Sequence, residues 1–325
     1  MARPAPLVSI PEAPAPPGAA ETFEGHGGAP LRAALFPAPQ PCGSVVISPG
    51  RTEPIEKYFE VVEELTGRGF TVLAHDWRGQ GLSHRLLDDR LAGHAGGWRD
   101  FVEDYRRLLA AFEERLPRPR LALGHSMGGC LTLLALQELP GRMDGAILSA
   151  PMLRIRGVEP EWFVQAAANA IVALGLGGRP VPGPLYDPLD EAFDSERLTH
   201  DQARYRRFKA QLRAEPDLAL GHPTWGWLKF ALEASRLARD PTRLGRIEVP
   251  VTIVAAGRDR LVDPAASSAA AAAIPRCRYV EAPDAFHEIL IETDGRRAVF
   301  WRAFDELADA VLPDRAPPLS GRLES

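Results

Sequence analysis

Three residue types that together make a hydroxyl nucleophilic occur in this 325-residue chain, each in a setting suited to chemistry. Ser126 lies in Gly124-His125-Ser126-Met127-Gly128, Asp259 in Gly257-Arg258-Asp259-Arg260-Leu261-Val262, and His287 follows the turn Pro283-Asp284-Ala285. A serine hydroxyl is a poor nucleophile at neutral pH, so it needs a base within hydrogen-bond reach and an acid that orients the base. The G-x-S-x-G spacing serves a serine at the tip of a tight strand-to-helix turn. There the backbone is strained and crowded from both sides, and glycines at −2 and +2 remove the side chains that would collide. Acyl transfer also needs N–H donors for the developing oxyanion. The candidates are Met127, whose amide opens a helix, and Arg51 in Pro49-Gly50-Arg51-Thr52, where Gly50 gives the backbone room to turn inward.

These residues need elements to hold them. Arg120 to Gly124 reads as a short buried strand, and Leu131, Leu133, Leu134, Ala135 and Leu136 continue as a helix toward Pro140. Upstream, a hairpin of two short strands is expected between Glu21 and Pro39, then a strand at Ser44 to Ser48. A helix follows, carrying Ile55, Tyr58, Phe59, Val62 and Leu65, and then a strand at Phe70 to Ala74. Trp98, Phe101, Val102, Tyr105, Leu108, Leu109 and Phe112 fall on one face of the clearest helix, and Gly145 to Ala150 returns to strand character. Apolar strands separated by helical or loop connections predict an α/β fold, a mostly parallel, doubly wound sheet. The next ninety or so residues lack apolar strands and read as an inserted helical lid, with helices at Glu161 to Leu174, Asp201 to Ala214 and Trp225 to Ala238. Strands resume at Val249 to Ala256 and Arg278 to Glu281. A helix begins after Pro264, with Asp263 as its N-cap rather than a rival catalytic acid, and a last helix covers Arg297 to Val311. The expected organisation is a disordered leader over 1–20, a core over 21–153 and 245–312, a lid over 154–244 and a mobile tail over 313–325.

Composition excludes several classes. A net charge of −5 and a pI near 6.0 give no electrostatic footprint for nucleic acid. Cys42, Cys130 and Cys277 are odd in number and widely spaced, which argues against a disulfide framework or a zinc site and fits a reducing, cytoplasmic compartment. No stretch approaches the roughly 18 consecutive apolar residues of a membrane span. His84, His94, His200 and His222 lack the spacing of a metal site, and no cofactor motif is present. His75 ends a strand near the expected pocket rim. His125 occupies the variable position of the serine motif, where it contacts substrate or supports the packing.

Together these motifs resemble the α/β-hydrolase superfamily, and within it the branch of bacterial lysophospholipases and monoacylglycerol lipases. The resemblance spans about Glu21 to Val311 and rests on GHSMGG at Gly124 to Gly129, DWRGQGLS at Asp76 to Ser83, PGRTEPIEKYFEV at Pro49 to Val61, GRDRLV at Gly257 to Val262 and HEILIE at His287 to Glu292. It implies Ser126 as nucleophile, His287 as base and acid, Asp259 as orienting acid, and Met127 and Arg51 as oxyanion donors. Pro49-Gly50 departs from the His-Gly usual in monoacylglycerol lipases; the backbone role survives, and the shape of the acyl pocket changes. The implied activity is cleavage of lipid-like carboxylic esters, with peripheral membrane contact possible and no obligate protein partner. An acyltransferase or general carboxylesterase with the same triad, or a non-catalytic binding protein, are the alternatives. Trp225 and Trp227 are candidate substrate contacts. Trp162, Phe163, Leu228 and Phe230 are candidates to line the acyl chamber or to form lid core. The run Arg204, Arg206, Arg207, Lys209 and Arg213 reads as a solvated face or an attractant for anionic headgroups.

Overall fold

The strand-rich, β-branched segments and the amphipathic segments between them alternate along the chain, and the computed structural model, which describes residues 3–183, 187–189, 192–193 and 198–312, resolves that alternation into one sheet with helices around it. The strands are β1 (Arg3–Ala5), β2 (Ala19–Glu24), β3 (Pro30–Phe36), β4 (Gly43–Ser48), β5 (Phe70–His75), β6 (Arg120–His125), β7 (Gly145–Ser149), β8 (Val251–Ala256) and β9 (Cys277–Ala282). Their order across the sheet is β1-β2-β3-β5-β4-β6-β7-β8-β9. The first three form an antiparallel meander joined to β5, and from β5 to β9 every pairing is parallel. Strands β4 to β8 are buried along their whole lengths, as central parallel strands covered on both faces must be.

The first helices of the core are α1 (Phe59–Gly67), α2 (Trp98–Phe112) and α3 (Met127–Glu138). Helix α2 buries the seven-residue face read from its sequence. Helix α3 is buried on nearly every side because it lies between the sheet and the inserted segment. That segment leaves the core after β7 and rejoins it at β8. It comprises α4 (Glu161–Ala173), α5 (Gln202–Ala214), α6 (Trp225–Ala238) and the short α7 (Pro241–Leu244). Helices α8 (Pro264–Ala273) and α9 (Asp294–Val311) complete the core. Asp263 caps α8, accepting the Ala265 amide at 3.2 Å. Helix α6 packs on α2, α3 and α4, so the insertion is a lid seated over the helix that follows Ser126. Helix α5 is fastened to the core by charge. Arg204 Nε donates to Glu60 at 2.9 Å and Arg207 donates to the same carboxylate at 3.0 Å. Burial would raise the Glu60 pKa, but Arg204, Arg297 and Arg207 hold it down at about 2. Arg204 and Arg207 of the basic run therefore join lid to core, while Arg206 and Arg213 are exposed, as a solvated face requires. Lys209, also expected in a solvated face, is buried and donates to the Pro188 carbonyl.

The expected disordered leader is a correction. Arg3, Pro4 and Ala5 pair with Thr22, Glu21 and Ala20 as an edge strand, a position that tolerates proline. Its low hydrophobicity misled because polar groups hold it. Arg32 Nη1 donates to the Pro6 carbonyl at 3.0 Å, and the Val8 amide donates to Glu56 at 3.1 Å. The expected mobile tail, 313–325, lies outside the described residues.

Arg32 is the electrostatic hub of this region. It is 1% exposed and donates to Asp76 at 2.7 Å and to both oxygens of Glu56 at 2.8 and 2.7 Å. Burial disfavours its charge, but the two carboxylates more than offset that and raise its pKa. Asp76 in turn accepts the Ile55 and Leu82 amides, and a Cβ on Gly81 would collide with its carboxylate. Replacing Arg32 with alanine strands two buried carboxylates. We expect a loss of about 3–5 kcal/mol in chemical denaturation, and a loss below about 1 kcal/mol would contradict this account.

Candidate active site

Parallel α/β sheets gather their chemistry at the carboxyl ends of the strands. Here β4 runs into Pro49-Gly50-Arg51-Thr52, β6 into Ser126, β8 into Asp259, and β9 into the loop bearing His287. Ser126 has φ 50° and ψ −116°, the left-handed strain expected of a hydroxyl thrust forward at a sharp turn. The turn is locked: the Ser126 amide donates to the Ser149 carbonyl at 3.0 Å, and the Ser126 carbonyl accepts from Cys130 at 3.0 Å and Met152 at 2.9 Å. The glycines have identifiable reasons. A Cβ on Gly124 would lie 2.7 Å from Thr132 Oγ1 and 2.8 Å from Gly129 Cα. One on Gly128 would run into the Ser48 carbonyl and come within 2.5 Å of the Pro49 oxygen, and one on Gly129 would stand 2.9 Å from Pro151 Cβ.

The structure brings Ser126, His287 and Asp259 into one line. His287 Nε2 is 2.9 Å from Ser126 Oγ, and His287 Nδ1 is 2.7 Å from Asp259 Oδ2. With Nδ1–H donated to the carboxylate, Nε2 carries the lone pair that accepts from the hydroxyl. Asp259 is fixed by the amides of Leu261 (2.8 Å) and Val262 (2.9 Å), both reaching Oδ1. Burial would raise its pKa, but His287 and those amides lower it. Burial works against a charged His287, and Asp259 more than offsets it, raising the ring above the ordinary histidine value. The arrangement can take up a hydroxyl proton and hold the resulting imidazolium.

Met127 opens α3, where first-turn amides have no intrahelical partner, and Arg51 lines the same cavity as Ser126. Arg51 also reaches the lid. Its Nη2 donates to the Gly221 carbonyl, and its guanidinium lies 5.1 Å from the Trp227 ring centroid. The turn itself rests on residues the sequence reading missed. Glu53 accepts the Gly50 amide at 2.5 Å, Tyr58 Oη at 2.6 Å and Lys57 Nζ at 2.8 Å, and Lys57 also donates to Glu288 at 2.6 Å. Burial opposes ionisation of Glu53, yet Lys57 and His125 hold its pKa at about 2. The i, i+4 spacing of Glu53 and Lys57 was a usable signal; Glu288, 231 positions from Lys57, offered none.

A cavity of about 600 Å³ opens above Ser126. Gly50, Arg51, His125, Ser126 and His287 supply its polar floor, and Met152, Ile155, Val181, Trp227, Leu261 and Val262 are among its apolar walls. His125 is 3% exposed, with Nδ1 3.1 Å from the Ser149 carbonyl, and burial lowers its pKa. Trp227 lines the cavity and Trp225 does not, because residues two apart on a helix point to different faces. Trp162 and Phe163, expected in the chamber or lid core, are 74% and 58% exposed on α4. Phe230 is core, stacked on Phe101 at 4.6 Å, and Leu228 is buried away from the cavity. His75 is likewise not at the rim. It is buried against Trp77, ring centroids 4.3 Å apart, and desolvation lowers its pKa to about 3. No helix among the described residues is long and apolar enough to cross a membrane.

Comparison with known proteins places this geometry. Residues 39–294 match the family described as serine aminopeptidase, S33. The chain is 33% identical over 299 residues to Lysophospholipase L2 of Escherichia coli (strain K12), covering 85% of this chain and 83% of that protein. It is 28% identical over 249 residues to the Monoacylglycerol lipase of Mycolicibacterium smegmatis, covering 76% and 81%. Among solved structures, a soluble variant of monoglyceride lipase from Saccharomyces cerevisiae superposes with a TM-score of 0.67 at 18% identity, over 90% of this chain and 96% of that one. The monoacylglycerol lipase of Paleococcus ferrophilus gives 0.62 at 24% identity, over 84% and 98%. At those identities the structures establish a shared fold.

Proposed function

The chain belongs to the serine aminopeptidase S33 family of α/β-hydrolases and is a serine hydrolase, and from that premise we propose that it cleaves the carboxylic ester of lysophospholipids or monoacylglycerols through an acyl-enzyme. The observation that carries the reading is the Ser126–His287–Asp259 line, at 2.9 and 2.7 Å, opening onto a cavity with a largely apolar wall. Ser126 Oγ attacks the ester carbonyl as His287 Nε2 takes its proton, and Asp259 stabilises the imidazolium. The amides of Met127 and Arg51 receive the oxyanion. His287 returns the proton to the departing alcohol, and water, activated by the same ring, releases the fatty acid. Esters are favoured over peptides because the acids that line the cavity among the described residues, Glu53 and Glu288, are engaged by Lys57 rather than set out for a substrate ammonium. The names of the relatives point the same way.

The test is release of fatty acid from a lysophosphatidylcholine and a monoacylglycerol of equal chain length, beside an aminoacyl p-nitroanilide. We expect release from the lipids and negligible anilide cleavage. Preference for the anilide would sink the reading, and transfer of the acyl group to added glycerol in place of fatty acid would identify an acyltransferase.

A further inference from the structure

Gly50 has to be glycine for space, since a Cβ there would stand 2.7 Å from Glu53 Oε2 and 3.1 Å from His125 Cδ2. The same lack of a side chain loosens the backbone, so the peptide joining Gly50 to Arg51 is free to flip without a further hold. Gln80, 30 positions on, supplies one: its Nε2 donates to the Gly50 carbonyl at 2.8 Å. Trp77 Nε1 donates to the Pro49 carbonyl, also at 2.8 Å. Two donors from the loop after β5 thus grip successive carbonyls of the turn after its neighbour in the sheet, β4.

Gln80 is itself firmly placed. It is 3% exposed, its amide donates to the Trp77 carbonyl at 3.2 Å, and its own carbonyl accepts from Ser83 at 3.2 Å. Gly79 and Gly81 flank it in the left-handed region, at φ 83° and 53°. Gly50 and Arg51 line the cavity with Ser126, and Gln80 is not one of its lining residues.

A peptide unit is planar, and in its trans form the C=O and N–H point in opposite directions. A hydrogen bond that fixes the Gly50 oxygen therefore fixes the Arg51 N–H as well, turned away from Gln80. We propose that Gln80 is a positioning residue for the oxyanion: by holding the Gly50 carbonyl it keeps the Arg51 N–H aimed at the oxygen of the substrate carbonyl, and it touches no reacting atom. The inference rests on the Arg51 amide being an oxyanion donor, as proposed above. The bond from Gln80 also polarises the peptide and strengthens its N–H as a donor. The segment Asp76 to Ser83, which carries no member of the triad, thereby takes part in the chemistry.

The experiment compares the wild type on p-nitrophenyl butyrate with Gln80→Met, which keeps the length of the side chain and loses the donor, and with Gln80→His, which restores an N–H at similar reach. A lost oxyanion donor costs about 10²–10³ in kcat and a misaimed one part of that, so Gln80→Met should lower kcat about 10- to 100-fold while KM changes less than about threefold. Gln80→His should recover most of the loss. The second readout is inhibition by an alkyl trifluoromethyl ketone and by the matching secondary alcohol. Ser126 Oγ adds to the ketone carbonyl as its proton passes to His287, leaving a hemiketal oxyanion that needs the donors; the alcohol fills the same space and forms no bond. In Gln80→Met the ketone Ki should rise by the factor that kcat/KM falls, with the alcohol Ki unchanged. Wild-type kcat and ketone Ki in Gln80→Met, or equal weakening of ketone and alcohol, overturns the proposal. Arg51→Pro, which lacks the N–H, beside Arg51→Ala, which keeps it, separates the proposal from the reading beneath it. Equal kcat in these two removes Arg51 as a donor and the proposal with it. A lower kcat in Arg51→Pro together with an unchanged Gln80→Met leaves the donor in place and removes only the role of Gln80.

Discussion

Ser126→Ala should lower kcat on short acyl esters by on the order of 10⁴ or more, while the protein remains folded. The lost group is one hydroxyl whose side-chain partner is His287 Nε2 at 2.9 Å, and the locked turn beneath it is made by backbone atoms that alanine retains. Without a nucleophile, what survives is the stabilisation that bound substrate and oxyanion donors supply to attack by water, which in enzymes of this type leaves a small residue of the rate. Steady-state turnover measures the loss. A fluorophosphonate probe checks its cause, since intact-mass analysis should find one adduct on the wild type, at Ser126, and none on the variant. Turnover near the wild-type level, or labelling at another serine, would show that the elbow is not the nucleophile.

Asp259→Asn should cost about 10⁴-fold in kcat and should also move the pH profile. The amide oxygen of asparagine is kept by the Leu261 and Val262 amides, which leaves its NH2 to donate to Nδ1 where the carboxylate accepts at 2.7 Å, so the ring loses the tautomer that leaves Nε2 basic. In the wild type His287 is raised above the ordinary histidine value, and catalysis needs it neutral, so kcat/KM should climb through that raised value toward an alkaline plateau. With the carboxylate gone, burial dominates, the His287 pKa falls, and the acid limb shifts to lower pH as its height collapses. The same coupling bears on stability. The His287 contribution is fully present below the unfolded pKa of histidine and is lost as pH rises through the raised folded value. The Asp259 contribution is present above its unfolded pKa and is lost as pH falls through the lowered one. An acid limb in Asp259→Asn that stays where the wild type has it would remove Asp259 as the source of the shift.

The parallel core was legible because its strands are short apolar runs between glycines and prolines, and because burial on both faces leaves no other reading for Val45, Val46 and Ile47 or for Leu121, Ala122 and Leu123. Ser126, Asp259 and His287 were legible for a related reason, since each follows a recognisable strand and their order in the chain carries information. What escaped was held by polar contacts over long sequence separations. The leader strand depends on Arg32, the turn at Gly50 on Glu53, and the Glu53 and Glu288 carboxylates on a lysine whose partners are 4 and 231 positions away. Such a network leaves no periodicity. The tryptophans of the lid failed differently: Trp225 and Trp227 share a type and a helix, and only the direction of each side chain separates cavity wall from helix face.

Arg51 joins two functions that are often tuned apart. Its backbone belongs to the turn proposed to receive the oxyanion, and its side chain is anchored to the lid at Gly221 and Trp227. A lid exchanged to suit a longer or bulkier acyl chain therefore also alters the anchorage of a residue at the reaction centre. On the oxyanion role proposed for Arg51, redesign for substrate range and redesign for rate draw on the same residue, and a lid library that keeps the carbonyl at 221 and the indole at 227 is expected to retain more of the starting activity than one that does not.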